Sequence, residues 1–170
     1  MLRVIFDTNI YGLIFTDYLI DELEQLQNKI KENLIVYDFP VIRKELRNIP
    51  KRHKKGKQLR IALLNLYDNI TNNHNLEYSP RIEELANEYY QAYRQEGGIK
   101  SKNDILNDFL IIACAVLNNL DIVFSNDEKT MISRRAMDAF KKVNQKYDLE
   151  TPYLFNYAEL IRRLTSPEFD

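Results

Sequence analysis

The feature that most constrains the fold is a spacing. Three short apolar runs, Leu2–Phe6, Leu34–Tyr37 and Asp121–Ser125, are separated by much longer stretches with helical periodicity. Short apolar runs bounded by turn formers read as buried strands. Between the first two, Leu19, Leu23, Leu26 and Ile30 recur at helical spacing, with Glu and Lys on the far face. Strands alternating with helices imply a parallel sheet covered by helices, because a parallel neighbour needs a long crossover. The fold class expected is therefore α/β, with a mainly parallel central sheet, and 170 residues suit one domain over 1–170.

The remaining pattern is helical. Pro40 opens a helix over Val41–Arg47, which Pro50 ends or kinks. A helix restarts near Gly56 and runs through Leu59, Leu63, Leu66 and Tyr67. The Asn-rich Asn69–Asn75 predicts a loop and Leu76–Tyr78 a short strand. Ser79 and Pro80 predict a capped helix running to about Gln95, stopped by Gly97-Gly98. Further helices are predicted over Asp104–Leu117, from about Ile132 to Lys146, and over Tyr157–Leu164.

Composition excludes several classes. Hydrophobic residues at 45% are too many for a disordered chain. A net charge of −1 singles out no partner. The single Cys114 excludes an intramolecular disulfide and a thiolate zinc cluster, and it sits in an apolar run. A reducing, cytoplasmic location is expected, since the first residues lack a signal-peptide pattern. The longest apolar stretch, Phe109–Leu117, is about half the ~20 residues a membrane span needs. No membrane association is expected.

In parallel sheets, ligands bind beyond the carboxyl ends of the strands. Asp7 stands at the end of the first strand and Asp127 just past the third. Glu45 lies early in the helix after the second strand. Asp104 and Asp108 are one turn apart at the start of the most apolar helix. Each acid alone also suits a cap, a turn or a solvated helix face. Together they point into one crevice. Converging carboxylates raise each other's pKa, and a divalent cation removes that conflict. Oxygen ligands without His or Cys favour Mg²⁺ or Mn²⁺, the setting for metal-assisted phosphodiester hydrolysis. A Ser–His–Asp or Cys–His arrangement finds no support, since His53 and His74 lie in a lysine-rich stretch and an Asn-rich loop.

Four fragments carry a family resemblance: Val4-Ile-Phe-Asp7-Thr8-Asn9, Pro40-Val-Ile-Arg-Lys-Glu45-Leu46, Asn107-Asp108-Phe-Leu-Ile-Ile-Ala-Cys-Ala115 and Asp121-Ile-Val-Phe-Ser-Asn-Asp127. In this order, with an acid in each, the chain resembles the PIN-domain nucleases, which include VapC-like toxins of toxin–antitoxin pairs. The resemblance implies a three-layer α/β/α sandwich, dependence on Mg²⁺ or Mn²⁺, and cleavage of single-stranded RNA. It implies Asp7, Glu45, Asp108 and Asp127 as the catalytic, metal-holding acids, with Asp7 and Asp108 central. Thr8, Asn9, Ser125 and Asn126 would orient carboxylates or waters by hydrogen bonds, and Asp104 would be an extra ligand through water. A homodimer and an antitoxin partner are expected on the same ground.

Between Arg43 and Arg60 the chain holds nine Lys or Arg and one acid. The stretch reads either as a solvated loop or as a phosphate-tracking rim beside Glu45. The second reading names Arg43, Lys44, Arg47, Lys51, Arg52, Lys54 and Lys55 as RNA-binding. Tyr11, Phe15 and Tyr67 suit base stacking or the core, and Tyr89, Tyr90 and Tyr93 suit helix packing or a dimer face. Two alternatives stay beside the nuclease: a non-catalytic RNA-binding module with a decayed site, and an aspartate-based phosphohydrolase with Asp7 as acceptor. The second wants another acid two residues on, where this chain has Asn9.

Overall fold

A computed structural model describes residues 1–49 and 54–166, with the backbone alone at 20, 21 and 54–56. In chain order the described residues form β1 (Leu2–Phe6), α1 (Thr8–Asp17), α2 (Ile20–Asn33), β2 (Leu34–Val36), α3 (Pro40–Arg47) and α4 (Lys54–Thr71). They continue with α5 (Pro80–Gln95), α6 (Lys102–Leu117), β3 (Ile122–Phe124), α7 (Arg134–Lys146), β4 (Tyr153–Phe155) and α8 (Tyr157–Thr165).

The four strands form one sheet in the order β2-β1-β3-β4, and all three pairings are parallel. Helices cover this sheet in the three-layer α/β/α arrangement. Its centre is apolar on both faces. Val4, Ile5, Phe6, Val123 and Phe124 are fully buried, and the Phe6 and Phe124 rings meet edge to face at 5.5 Å. Burial on both faces is why these strands read as continuous hydrophobic runs rather than alternating ones. Helix α6 is buried along most of its length, from Phe109 through Val116.

The order of strands fixes where a site can form. From β1 the chain steps to β2 on one side and later to β3 on the other, so the connection reverses between β1 and β3. A crevice opens at the carboxyl ends of such a strand pair. Asp7 donates its amide to the Phe124 carbonyl at 2.8 Å, which ties the two strand ends together.

Three local readings need correction. Leu76–Tyr78 is not a strand: the single bridge nearby is formed by the preceding Asn75 with Asp38, and the Leu76 amide donates to the Asp38 carbonyl at 2.9 Å. A fourth strand, Tyr153–Phe155, stands at the sheet edge directly after Pro152, and its three residues are too few to show a period. Helix α1 begins immediately after Asp7, where the sequence suggested only a polar turn. The Gly97-Gly98 stop holds in atomic detail. Gly97 has φ +81°, and the Gly98 and Gly97 amides donate to the Tyr93 and Arg94 carbonyls, closing α5 in a Schellman motif.

The aromatic residues go to the core. Tyr11 and Tyr67 are fully buried with ring centroids 5.0 Å apart, and Phe15 packs against the same core. Tyr89 and Tyr93 pack edge to face on Phe109. Cys114 is buried, which pushes its thiol up to about 12.

Candidate active site

Asp7 is delivered by β1 and serves as the N-cap of α1. It is 5% exposed. Its Oδ1 accepts the Thr8 amide at 2.7 Å. Its Oδ2 accepts the Asn9 side-chain amide at 2.6 Å and the Ser125 hydroxyl at 2.7 Å. Asn9 also reaches across the crevice: its Oδ1 accepts the Asn126 amide at 3.0 Å. The side chain of Asn9 thus clamps the end of β1 to the turn after β3.

Glu45 comes from α3, whose Pro40 start and buried Ile42 and Leu46 set the helix face. Its two oxygens are held by different elements. Thr8 Oγ1 donates to Oε2, and Asn107 Nδ2 donates to Oε1 at 2.6 Å. Glu45 therefore bridges the start of α1 and the start of α6.

Asp108 and Asp127 are linked through one hydroxyl. Thr130 Oγ1 lies 2.6 Å from Asp108 Oδ2 and also within hydrogen-bond reach of Asp127 Oδ2. One hydroxyl proton serves one acceptor at a time, so a proton on either carboxyl completes the second bond. Asp127 Oδ1 accepts the Lys129 and Thr130 amides, each at 3.0 Å, and the Asp127 amide donates to Ser125 Oγ at 3.1 Å. Ser125 is thus the joint between Asp7 and Asp127.

The charges are in conflict. Asp7 is raised from 3.8 to about 6, chiefly by burial, with Glu45 and Asp127 adding repulsion against the Ser125 and Thr8 hydrogen bonds. Asp108 is raised to about 7 by burial, then by Asp7, Asp127 and Glu45, with Thr130 opposing. Both carboxyls feel Glu45 and Asp127, which places the four acids in one electrostatic neighbourhood.

The donor set suits a hard divalent cation. All four acids offer oxygen, and among the described residues no protein donor reaches Asp108 Oδ1. Among the described residues no three acidic, His or Cys side chains close around one point. That arrangement is ordinary for Mg²⁺, which is held by one or two carboxylates and keeps several waters. Asp7 and Asp108 would hold it.

The other expected residues fall into two groups. Thr8, Asn9, Ser125 and Asn126 all join the network. Asp104 is exposed on the first turn of α6, accepts the Ser101 hydroxyl at 2.6 Å, and shares no hydrogen bond with the four acids. Of the basic residues, Arg43 is engaged elsewhere, with Asp38 at 3.1 Å, Asp68 at 2.5 Å and the Tyr67 ring. Lys44 and Arg47 are exposed. Lys51 and Arg52 lie outside the described residues, and so does His53. Of Lys54 and Lys55 only the backbone is described, in the first turn of α4. Thr130 and Asn107 were not assigned roles from sequence. Thr130 had one usable signal, its place three residues after Asp127, where an aspartate accepts a backbone amide as in a cap.

A larger cleft, about 500 Å³, opens at the amino ends of β1, β3 and β4, against Leu2, Ile122 and Tyr153. Its acids are Asp121, whose carboxylate accepts the Arg3 amide at 2.6 Å, and Glu150, with Arg163 in the same lining. The converging acids therefore lie at the carboxyl ends.

The comparisons with known proteins agree with this fold. No curated protein matches the chain. Its fold is similar to VapBC2 from Rickettsia felis bound to a promoter DNA fragment, at 17% identity and TM-score 0.57, covering 91% of this chain and 98% of that one. It is also similar to DNA-bound VapBC from Salmonella typhimurium, at 13% identity and TM-score 0.57, covering 92% and 99%. A third likeness is FitAcB from Neisseria gonorrhoeae, at 14% identity and TM-score 0.55, covering 91% and 98%. The family model for the PIN domain matches residues 4–136, which spans β1, the acids and the start of α7. PIN domains are nucleases in general and typically depend on a divalent metal. On that match, the chain belongs to the PIN domain family.

Proposed function

We propose that this protein is a metal-dependent endoribonuclease, acting as one domain on single-stranded RNA and serving as the toxin of a toxin–antitoxin pair. The observation that carries the reading is the continuous network through Thr8, Asn9, Ser125, Asn107 and Thr130, which fixes four carboxylates at the sheet's switch point. Acids that served only the fold would not be gathered in a crevice where burial first, and mutual repulsion second, raises the Asp7 and Asp108 carboxyls above the usual carboxylate range.

Asp7 and Asp108 supply hard oxygens to Mg²⁺ or Mn²⁺. When bound, the cation supplies charge stabilisation at the phosphodiester and lowers the pKa of the attacking water. Ser125 and Asn9 prevent Asp7 from rotating, and Thr130 makes Asp108 and Asp127 move together. Glu45, carried by α3 and held from both sides, faces the crevice. The phosphohydrolase reading fits less well. The position two residues on, where that chemistry wants a second acid, is Asn9, whose amide donates to Asp7 Oδ2.

The antitoxin assignment rests on the likeness to VapBC complexes, and the homodimer is proposed from the family resemblance alone. The test is incubation of the partner-free protein with a panel of labelled single-stranded RNAs, with Mn²⁺ or with EDTA. Cleavage with metal, absent with EDTA and absent in Asp108→Asn while RNA binding persists, is expected. Absence of cleavage of any RNA or DNA across the panel overturns the reading.

A further inference from the structure

Beside Glu45 lies a cleft of about 340 Å³ between α3, the start of α6 and the segment leading into α5. It does not belong to the acid network, yet the two share Glu45 and Asn107. Its distinctive wall is Tyr78. The ring is 43% exposed, lies nearly parallel to the buried Phe39 ring at 13°, and donates its hydroxyl to Glu83 at 3.1 Å. The segment carrying it is pinned at both ends: the Leu76 amide bonds to Asp38, and Ser79 caps α5. The aromatic face is therefore held in place before any ligand arrives. Leu110 adds an apolar contact, and Asn48 and Asn107 bring side-chain amides that can both donate and accept. The exposed Lys44 lines the same cleft and supplies a positive charge.

A flat aromatic face, amides and a cation, opening onto a phosphodiester-cleaving centre, are the requirements of a nucleobase site. A second, more open depression is lined by Asn9, Asp127 and Lys129. Glu45 lines the first cleft and Asp127 the second, so a strand reaching from one to the other meets two of the four acids. We propose that the Tyr78 cleft is a base-binding subsite, in which one unpaired base adjoining the scissile phosphate stacks on Tyr78 and meets Asn48 and Asn107. This rests on the ribonuclease reading above and adds a cause of single-strand selectivity, because a paired base cannot present its face to a side chain.

The test uses the full chain carrying Asp108→Asn, so that RNA binds without being cut, and single-stranded oligoribonucleotides with one abasic position moved along the strand. Tyr78→Ala is expected to weaken binding on the order of 10-fold, the usual effect of losing one base–aromatic stack. One abasic position should cost the same, and the two changes together no more than either alone. Tyr78→Phe, which keeps the ring and loses only the Glu83 bond, should bind as the parent does. With Asp108 restored, Tyr78→Ala should raise KM with little change in kcat. If the Ala protein binds and cleaves like the parent, or if its loss adds to every abasic loss, the subsite is overturned while the nuclease stands. If the parent chain neither binds nor cleaves RNA, both fail.

Discussion

Replacing Asp108 by Asn should make the metal-free protein more stable while destroying its activity. Asp108 has a folded-state pKa of about 7, against 3.8 for an ordinary aspartate. Below pH 4 the carboxyl is protonated in both states and contributes no difference. Between about 4 and 7 the folded state keeps a proton that the unfolded state has lost, so stability falls as pH rises. Linkage puts the accumulated cost at about 1.5 kcal/mol at pH 5 and about 4 kcal/mol at pH 7.5. Asn removes the charge and keeps an oxygen for Thr130, but its amide is still partly desolvated. About half of the cost, ~2 kcal/mol, should therefore be recovered at pH 7.5, equivalent to roughly 4–8 °C in Tm for a chain of this size. The assay is urea or thermal unfolding followed by circular dichroism in EDTA, at pH 5 and pH 7.5, for both proteins. The native chain should lose about 2.5 kcal/mol more than the variant over that interval. Exposed ion pairs such as Glu159 with Arg162 are common to both and cancel. Equal pH dependence in the two proteins, or a variant less stable at pH 7.5, would refute the reasoning.

Two further outcomes follow from the same geometry. Thr130→Val should lower cleavage by about 10–100-fold, as loss of an orienting hydroxyl beside metal ligands does, and Thr130→Ser should restore most of it; equal activity of the Val and Ser variants contradicts the bridging role. Multi-angle light scattering of the partner-free protein should give twice the chain mass of 20.2 kDa, and a monomer at micromolar concentration removes the proposed homodimer.

Much of this architecture can be read from the residues themselves. The β-branched runs around Val4, Val36 and Val123 are strands because a buried parallel sheet tolerates little else, and the helices between them dictate the crossovers. Ser79, Pro80 and the two glycines delimit α5 because capping chemistry is local. What escapes is non-local. Helix α1 is hidden by Thr8 and Asn9, polar residues that look like a turn until Asp7 caps the helix and Ile10, Tyr11 and Ile14 reach the core. Tyr153–Phe155 is a strand only because β3 offers it an edge. The acids can be named from their positions at strand ends, whereas Thr130 and Asn107 acquire meaning only when the turn after β3 and the start of α6 fold against them. Arg43 shows the converse. A charge run marks it as phosphate-binding, yet Asp38, five residues before it, and Asp68, 25 residues after it, claim its guanidinium. Tyr78 looks like part of a minor strand until its ring is seen against Phe39 and the cleft.

The account turns on whether this acidic crevice holds a divalent cation through Asp7 and Asp108. Anomalous scattering from crystals of the native chain soaked in Mn²⁺ tests this most directly. The expected result is a peak between Asp7 and Asp108, within coordination distance of an oxygen of each, and lost in Asp108→Asn. No peak at saturating Mn²⁺, or one held by residues outside this crevice, contradicts it.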